Sequence, residues 1–313
     1  MERSEQEGKE GEKKMVEDLE RATRSCMEGL RYQSAAFYAE KLWRLRGTDA
    51  DAFRLAECYY RSEQYKRAIQ VGQTEGAKAL AFRHLLGLCM VKCKQYEECI
   101  ELLGDEPMPE EEFANLPLRE KQMYANVCKL RGDTMLQLES RYRAKFWYLE
   151  ALYTDPTVVH VFETLMSESL LSAKEETDLV RRLQKAPGSL AILQLYYETS
   201  VACHGPPTHT LPQEGVAKSG DFQWKLAQRH YYTGEMQKAY SITVDILEDD
   251  PYHPYVRELH IAVLFELDKR RELFLFAHNL VENNPDDHIS WYAVGCYYML
   301  LLNFEQARRY FSK

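Results

Sequence analysis

The segment Trp291–Lys313, WYAVGCYYMLLLNFEQARRYFSK, alternates large and small side chains as a pair of crossing antiparallel helices requires. Gly295 and Ala307 fall where the two helices would cross, and their small size lets the backbones approach closely. Large residues surround that point, namely Trp291, Tyr298 and Phe311. The segment therefore predicts a helical hairpin that ends within its second helix.

The spacing of these residues resembles the 34-residue tetratricopeptide repeat. Pro285 and Pro251 lie one such period apart, and Pro156 falls in the same register. Proline cannot continue a helix but fits in a first turn, so these residues mark junctions between helix pairs. The other positions of the signature are filled by Gly132, Ala144, Tyr148 and Ala239. The sequence predicts an all-α fold, a tetratricopeptide-repeat superhelix built as an α-solenoid of antiparallel helix pairs.

The remaining repeats are found by extending this register towards the N-terminus. Apolar residues recur with the helical spacing i, i+3, i+4 and i+7 in units that begin near Val16, Asp49, Leu80, Ala125, Gly220 and Pro254. A helix pair cannot bury its apolar face alone. Because the last unit is incomplete, we expect the chain to be the N-terminal portion of a longer array.

Charge and proline content divide the chain further. Residues 1–14 are mostly charged or small, which predicts disorder. Proline and acidic residues predict loops in 104–124, and prolines predict another in 204–219. The repeats then occupy 15–103, 125–203 with one atypical helix, and 220–313. Within the atypical region, helical patterns cover 158–171, 174–183 and 189–203.

Composition narrows the possible partners. The formal charge of −9 means that the chain has no excess of basic residues, which argues against nucleic acid or an anionic membrane as a partner. No apolar run approaches the roughly 18 residues of a membrane span, and the first residues lack an apolar signal core. We therefore expect a soluble intracellular protein whose partners are proteins.

Motifs for chemistry are weak. The eight cysteines include no Cys-x-x-Cys and lie mostly on apolar helical faces, so we expect reduced, buried thiols and neither zinc nor disulfide. His204 and His209 near Cys203 could be imagined as metal ligands, but no second thiol stands at ligand spacing, and Cys89 and Cys93 suit packing better. Phosphate-loop and hydrolase motifs do not occur. We expect no cofactor and no enzymatic activity.

The binding surface of stacked helix pairs is the wall lined by their first helices. In the second and third units this wall contains Phe53, Glu57, Tyr60, Arg61, His84, Leu88, Val91 and Lys92. Several of these are large and apolar where solvent would favour polar residues, which predicts a groove filled by another chain. The alternative is a register shifted by one residue, which would make the same residues ordinary core.

Several short segments carry a more specific resemblance. They are Arg229–Tyr232 (RHYY), Asp249–Pro254 (DDPYHP), Ser290–Tyr298 (SWYAVGCYY), Ala307–Lys313 (ARRYFSK) and, near the start, Tyr32–Ala35 (YQSA). Together they closely resemble the cell-division-cycle sixteen family of the anaphase-promoting complex, the cyclosome. The resemblance is strongest over 221–313 and keeps the same order of elements before it.

The resemblance implies a non-catalytic scaffold of a cell-cycle ubiquitin ligase, found in nucleus and cytoplasm. It implies a homodimer formed by the N-terminal repeats, which places the eight groove residues at the dimer interface. It also implies stacking against other tetratricopeptide subunits, and a small accessory subunit held by repeats beyond Lys313.

Two other functions remain open. A peptide-clamp co-chaperone of the same fold would need lysine and asparagine at groove positions where the first unit has Glu20 and Arg24. An enzyme with appended repeats would carry its catalytic domain outside this sequence.

Overall fold

The computed structural model describes residues 2–75, 79–185, 190–201 and 218–313, and every regular element in these ranges is an α-helix. The described helices divide into two compact units, with α11 near the boundary. Unit 1 contains α1 Glu2–Glu28, α2 Tyr32–Arg46, α3 Asp49–Arg61, α4 Tyr65–Glu75, α5 Leu80–Lys92, α6 Tyr96–Leu103, α7 Glu110–Asn115, α8 Leu118–Gln137, α9 Arg141–Thr154 and α10 Val159–Ser167.

Unit 2 continues the series of helix pairs. Its helices are α11 Ala173–Gln184, α12 Ala191–Val201, α13 Gly220–Tyr232, α14 Met236–Asp249, α15 Pro254–Glu266, α16 Arg270–Asn283, α17 His288–Leu300 and α18 Phe304–Phe311. The pairs predicted from Asp49, Leu80, Gly220 and Pro254 begin at those residues. The all-α tetratricopeptide-repeat fold is confirmed.

A left-handed residue recurs in the turn between the two helices of a repeat. Among the described residues, positive φ angles occur in eight turns of this kind, at Leu30, Glu63, Lys94, Glu139, Ser169, Gly234, Asp268 and Leu302. Only one of these eight residues is glycine, although a non-glycine residue is slightly strained in this conformation. The sequence signature does not mark this position, because the hairpin geometry rather than the residue type imposes the conformation.

Close contacts occur at the predicted crossing points. A Cβ atom added at Gly132 would lie 2.5 Å from the Tyr148 ring, and one added at Gly295 would meet the Phe311 ring. The small residues of the partner helices are almost fully buried, namely Ala144, Ala239 and Ala307. Close backbone approach therefore depends on the absence of a side chain at the glycines.

The other signature residues lie at several points along the array. Trp291 donates its indole N–H to the Pro285 carbonyl at 2.7 Å, which ties α17 to the turn before it. The Tyr298 ring stacks on Tyr310 with centroids 5.3 Å apart. Pro156 is buried, while Pro251 lies exposed in the turn before α15.

Two predicted irregular segments are wrong in part. Helix α1 begins at Glu2, within the segment 1–14 that charge marked as disordered, because glutamate and lysine favour helix and no proline interrupts them. In 104–124 the structure has α7 and the start of α8. Pro109 and Pro117 directly precede these helices, so each proline starts a helix instead of extending a loop. Acidic residues in the first turn of α7 add to its stability.

The atypical region has three helices, of which the first is shorter than predicted and the second, at Ala173–Gln184 against 174–183, is slightly longer. The first ends at Ser167, where the pattern extended to 171, and the third runs over Ala191–Val201. The proline-rich segment 204–219 falls mostly outside the described residues, as do Cys203, His204 and His209.

Candidate interaction surfaces of the two units

The predicted groove residues lie on two neighbouring helices of unit 1. Helix α3 carries Phe53, Glu57, Tyr60 and Arg61, and α5 carries His84, Leu88, Val91 and Lys92. The two helices contact each other, so the structure brings the eight residues together.

The apolar members of this set are less exposed than predicted. Phe53, Tyr60, Leu88 and Val91 are half-buried and pack against the core of unit 1. The edge of the Phe53 ring meets Phe82 at a centroid distance of 5.8 Å. We expected these side chains to be exposed to solvent in a monomer. That expectation is wrong, because residues of the same repeats cover much of each side chain.

The polar members divide by exposure. Arg61 and Lys92 are exposed, and Arg61 lies 3.8 Å from the Glu57 carboxylate. Burial lowers the pKa of His84, and the charge of Lys129 acts in the same direction, so this imidazole is neutral at pH 7. The groove side of α3 and α5 therefore presents Arg61 and Lys92 as exposed cations, with the Glu57 carboxylate and the neutral His84 imidazole beside them.

An ion-pair network joins α1, α2 and α3 beside this groove. Asp51 is fully buried and accepts two hydrogen bonds from Arg46, at 2.9 Å and 2.6 Å. Burial alone would raise the pKa of Asp51, but the hydrogen bonds from Arg46 and Thr48 outweigh it and lower that pKa. Glu20 lies 2.7 Å from Arg46 and 3.4 Å from Arg54. Glu20 therefore helps to hold the helices of the first repeats together.

Sequence reasoning missed an exposed apolar surface on α2. Phe37 is 57% exposed, Leu45 is also exposed, and so is Leu30 in the turn just before α2. The Lys41 ammonium lies 3.8 Å from the centre of the Phe37 ring. The signal was available, since Phe37 falls on the helix face opposite Ala39 and Leu42, which are buried.

A second exposed stripe runs along α9. Tyr142, Phe146 and Tyr153 follow at spacings of four and seven residues, and Tyr142 is 85% exposed. They lie on one face, opposite the buried Ala144 and Ala151. The sequence of this helix did not reveal the stripe, because large residues occur on both faces and the exposed face could not be distinguished from the buried one.

Thiols and metal-ligating side chains are two kinds of candidate reactive group among the described residues. The seven cysteines among them are free thiols, and only Cys93 is not fully buried. No group of three or more metal-ligating side chains comes together in the described ranges. Among the helices that the structure describes, none has the length and apolar character needed to cross a membrane.

Comparisons with known proteins agree with the order of helix pairs. The family model described as anaphase-promoting complex, cyclosome, subunit 3 matches residues 28–106. The cell division cycle protein 16 homolog of Homo sapiens is 31% identical, over 95% of this chain and 52% of that protein. Anaphase-promoting complex subunit 6 of Arabidopsis thaliana is 28% identical, over 95% of this chain and 61% of that protein.

A solved structure extends the likeness to three dimensions. The crystal structure of the APC/C hetero-tetramer Cut9–Hcn1 matches with a TM-score of 0.77 at 29% identity, over 95% of this chain and 58% of that chain. Anaphase-promoting complex subunit cut9 of Schizosaccharomyces pombe is 33% identical over 90% of this chain. The chain spans about half the length of the human relative. The chain is therefore similar to proteins of the cell-division-cycle sixteen family over at least 90% of its length, and its fold resembles that of Cut9.

Proposed function

We propose that the protein is a non-catalytic scaffold subunit of the anaphase-promoting complex, a cell-cycle ubiquitin ligase, acting in nucleus and cytoplasm. The observation that carries this proposal is the match to the Cut9 fold over 95% of the chain. Relatives from mammals, a plant and a yeast carry names of the same complex or of the cell division cycle.

The chemistry of the described cysteines supports a non-catalytic role. Transfer of ubiquitin through a thioester requires a thiolate, and thiolates form where the thiol pKa is low and the sulfur accessible. Burial instead raises the pKa of Cys58, Cys89 and Cys128 to about 12. These sulfurs remain protonated and enclosed, as structural residues do.

The ion-pair network argues against the co-chaperone alternative. A peptide clamp needs free cations and amides in the groove to grip a carboxylate. In the first repeat Glu20 brings negative charge and holds Arg46 and Arg54. This groove is therefore poorly suited to a C-terminal acidic peptide.

Affinity purification of the tagged full-length protein tests the proposal. Subunits of one ubiquitin ligase should copurify in constant ratio, and an untagged strain provides the background. Recovery of heat-shock chaperones without any such subunit would overturn the proposal and favour the co-chaperone alternative.

We also propose that residues 15–103 form a homodimer interface, with the groove residues of α3 and α5 and the exposed surface of α2 as its surface. A two-fold contact uses the same patch on both chains, so one substitution acts twice. A hetero-tetramer of two named components, as in Cut9–Hcn1, holds at least one of them in more than one copy, which is consistent with this proposal.

Light scattering after gel filtration tests the dimer. At about ten micromolar, well above a typical nanomolar to micromolar Kd, the wild type should run at twice the monomer mass of 36.7 kDa. Phe53→Glu with Leu88→Glu should give monomers, but both residues also pack in the core, so circular dichroism must show retained helicity.

A second variant avoids that difficulty. Arg61→Glu with Lys92→Glu reverses exposed charges on the same helices and should weaken the dimer without unfolding it. Arg308→Glu with Arg309→Glu, on exposed positions of α18, is the matched control and should leave the mass unchanged. A monomeric wild type at this concentration would remove the dimer from the proposal.

Contacts with other tetratricopeptide subunits, and with a small accessory subunit through repeats beyond Lys313, complete the proposal. The chain covers 58% of the Cut9 chain in the Cut9–Hcn1 structure, so a site in the remaining part would be absent here. In a pull-down, the full-length protein should recover the accessory subunit, whereas a chain that ends at Lys313 should not. Retention by the shorter chain would place that site within residues 1–313.

A further inference from the structure

A furrow lies between the second helices of two successive repeats in unit 2. It encloses about 800 Å³, including space open to solvent. Val244, Leu247 and Glu248 of α14 form one side, and residues of α16 form the other, namely Phe276, Asn279, Leu280 and Asn283. Pro251 and Tyr252 close one end. This furrow is formed by second helices of unit 2, whereas the predicted groove uses first helices of unit 1.

The floor of the furrow is apolar and uncharged. Leu280 is almost fully buried beneath it, and Leu247 packs partly into the core. His260 contributes to the lining, but burial lowers its pKa to about 4, and its Nδ1 lies 2.9 Å from the Thr243 hydroxyl. At physiological pH this imidazole is therefore neutral, and the floor suits one large apolar side chain.

One acidic side chain, Glu248, lines the edge of the furrow, and the two segments that form its sides are rich in acidic residues. The chain from Val244 to Pro254 contains Asp245, Glu248, Asp249 and Asp250, and the chain from Phe276 to Asp287 contains Glu282, Asp286 and Asp287. No lysine or arginine occurs in 239–256 or 272–287. The nearest following cation in sequence, Arg257, is already paired with Asp287 at 2.9 Å. The negative rim would attract positive charge and repel an acidic segment.

Amide side chains supply hydrogen-bonding groups within the furrow. Asn279 and Asn283 face it from successive turns of α16, and the Asn283 amide donates to the Asn279 backbone carbonyl at 3.0 Å. An asparagine side chain carries both donors and an acceptor, as a peptide bond does. Such groups can pair with the backbone of an extended segment.

From this combination we propose that the furrow binds a short basic segment of a partner protein. One aliphatic or aromatic side chain of that segment inserts between α14 and α16. Lysine or arginine residues on either side of it contact the acidic rim. The apolar floor fixes the anchor residue, and the rim selects the charge of its neighbours. The site does not depend on the proposed scaffold function, since it uses only residues of unit 2.

Fluorescence anisotropy with a short fluorescein-labelled peptide tests this inference. The peptide has one central leucine flanked by lysines, and it is titrated with the whole chain. We expect saturable binding that weakens at least about tenfold when the leucine is replaced by serine, because the apolar anchor is lost. Equal binding of the serine peptide would show attraction to general negative charge and would overturn the proposal.

Two variants locate the site. Glu248→Lys reverses a rim charge at an exposed position and should weaken binding several-fold, while Asn279→Trp should fill the furrow and weaken binding about tenfold. Glu98→Lys, at an exposed position of α6 in unit 1, makes the same charge change elsewhere and should bind as the wild type does. Circular dichroism confirms folding. If Glu98→Lys weakened binding as much as Glu248→Lys, or if both furrow variants bound normally, the proposal would be wrong.

Discussion

The hairpins α8–α9 in unit 1 and α17–α18 in unit 2 use the same crossing and differ in what surrounds it. In each, a glycine receives an aromatic ring from the second helix, Tyr148 on Gly132 and Phe311 on Gly295. Tyr148 is 1% exposed and donates to Asp133 at 2.9 Å, whereas Phe311 is 47% exposed. The repeat signature fixes where the helices cross, while the neighbours of the aromatic ring decide how rigidly they are held.

The largest effect is expected from overfilling the enclosed crossing. Ala144 is fully buried, so Ala144→Trp should destabilise unit 1 by about 3 kcal/mol through displaced helices. Ala307→Trp should cost less, because the half-exposed Phe311 can move aside. Thermal melting by circular dichroism measures both.

The control for this comparison is an exposed alanine. Ala114→Trp in α7 should leave the melting temperature almost unchanged. A melting temperature of Ala144→Trp within a degree of the wild type would contradict the assigned register.

The second prediction compares the two units through acid stability. The folded pKa of His260 is lowered to about 4 by burial, against about 6.5 in an unfolded chain. Between these values only the unfolded state binds the proton, so stability is lost as pH falls through that window. Unit 2 should lose about 2 kcal/mol between pH 7 and pH 5.

Unit 1 should change in the same direction over this range, because burial also lowers the pKa of His84. Its buried Asp51 has a lowered pKa, so its contribution persists until the pH falls below about 4. His260→Gln should abolish the loss at pH 5, whereas His288→Gln, at an exposed position, should not. An unchanged pH dependence in His260→Gln would refute the assignment to this imidazole.

The sequence was sufficient to predict the fold because its signals are local. Glycine, alanine and proline at fixed spacing identify crossings and junctions, and the pairs from Asp49, Leu80, Gly220 and Pro254 begin as predicted. The errors at 104–124 came from treating Pro109 and Pro117 only as helix breakers. Proline also starts helices, and the distinction depends on whether the residues after it favour a helix.

The candidate surfaces could be predicted only in part. The register placed Phe53 and Leu88 correctly on neighbouring first helices, but their exposure depends on side chains of adjacent repeats, which spacing does not reveal. The furrow of unit 2 is lined by Leu247 and Phe276, which come from two successive repeats. Such a surface is a property of tertiary packing, and the sequence shows only its acidic rim.

The third prediction adds one methyl group at each glycine. Gly132→Ala should cost about 1 to 2 kcal/mol, because the clash with the enclosed Tyr148 exceeds the gain of about 1 kcal/mol in helix propensity. Gly295→Ala should be nearly neutral, since Phe311 can rotate into solvent. Equal losses at the two sites, measured by urea denaturation, would show that exposure of the aromatic ring does not matter.

The smallest effect isolates the hydroxyl that distinguishes the two rings. Burial and the neighbouring Asp133 carboxylate raise the pKa of Tyr148, so its hydroxyl stays protonated and donates to that carboxylate. Tyr148→Phe removes the donor but leaves Asp133 bonded to Lys129 at 2.6 Å, so no charge is left unpaired. The expected loss is about 1 kcal/mol, the net value of one hydrogen bond. Phe311→Tyr should change stability by less than about 0.5 kcal/mol, because a hydroxyl added to a half-exposed ring gains little over water. If Tyr148→Phe were neutral while Gly132→Ala stayed costly, shape alone would hold the unit 1 crossing, and the contrast with unit 2 would rest on enclosure of the ring.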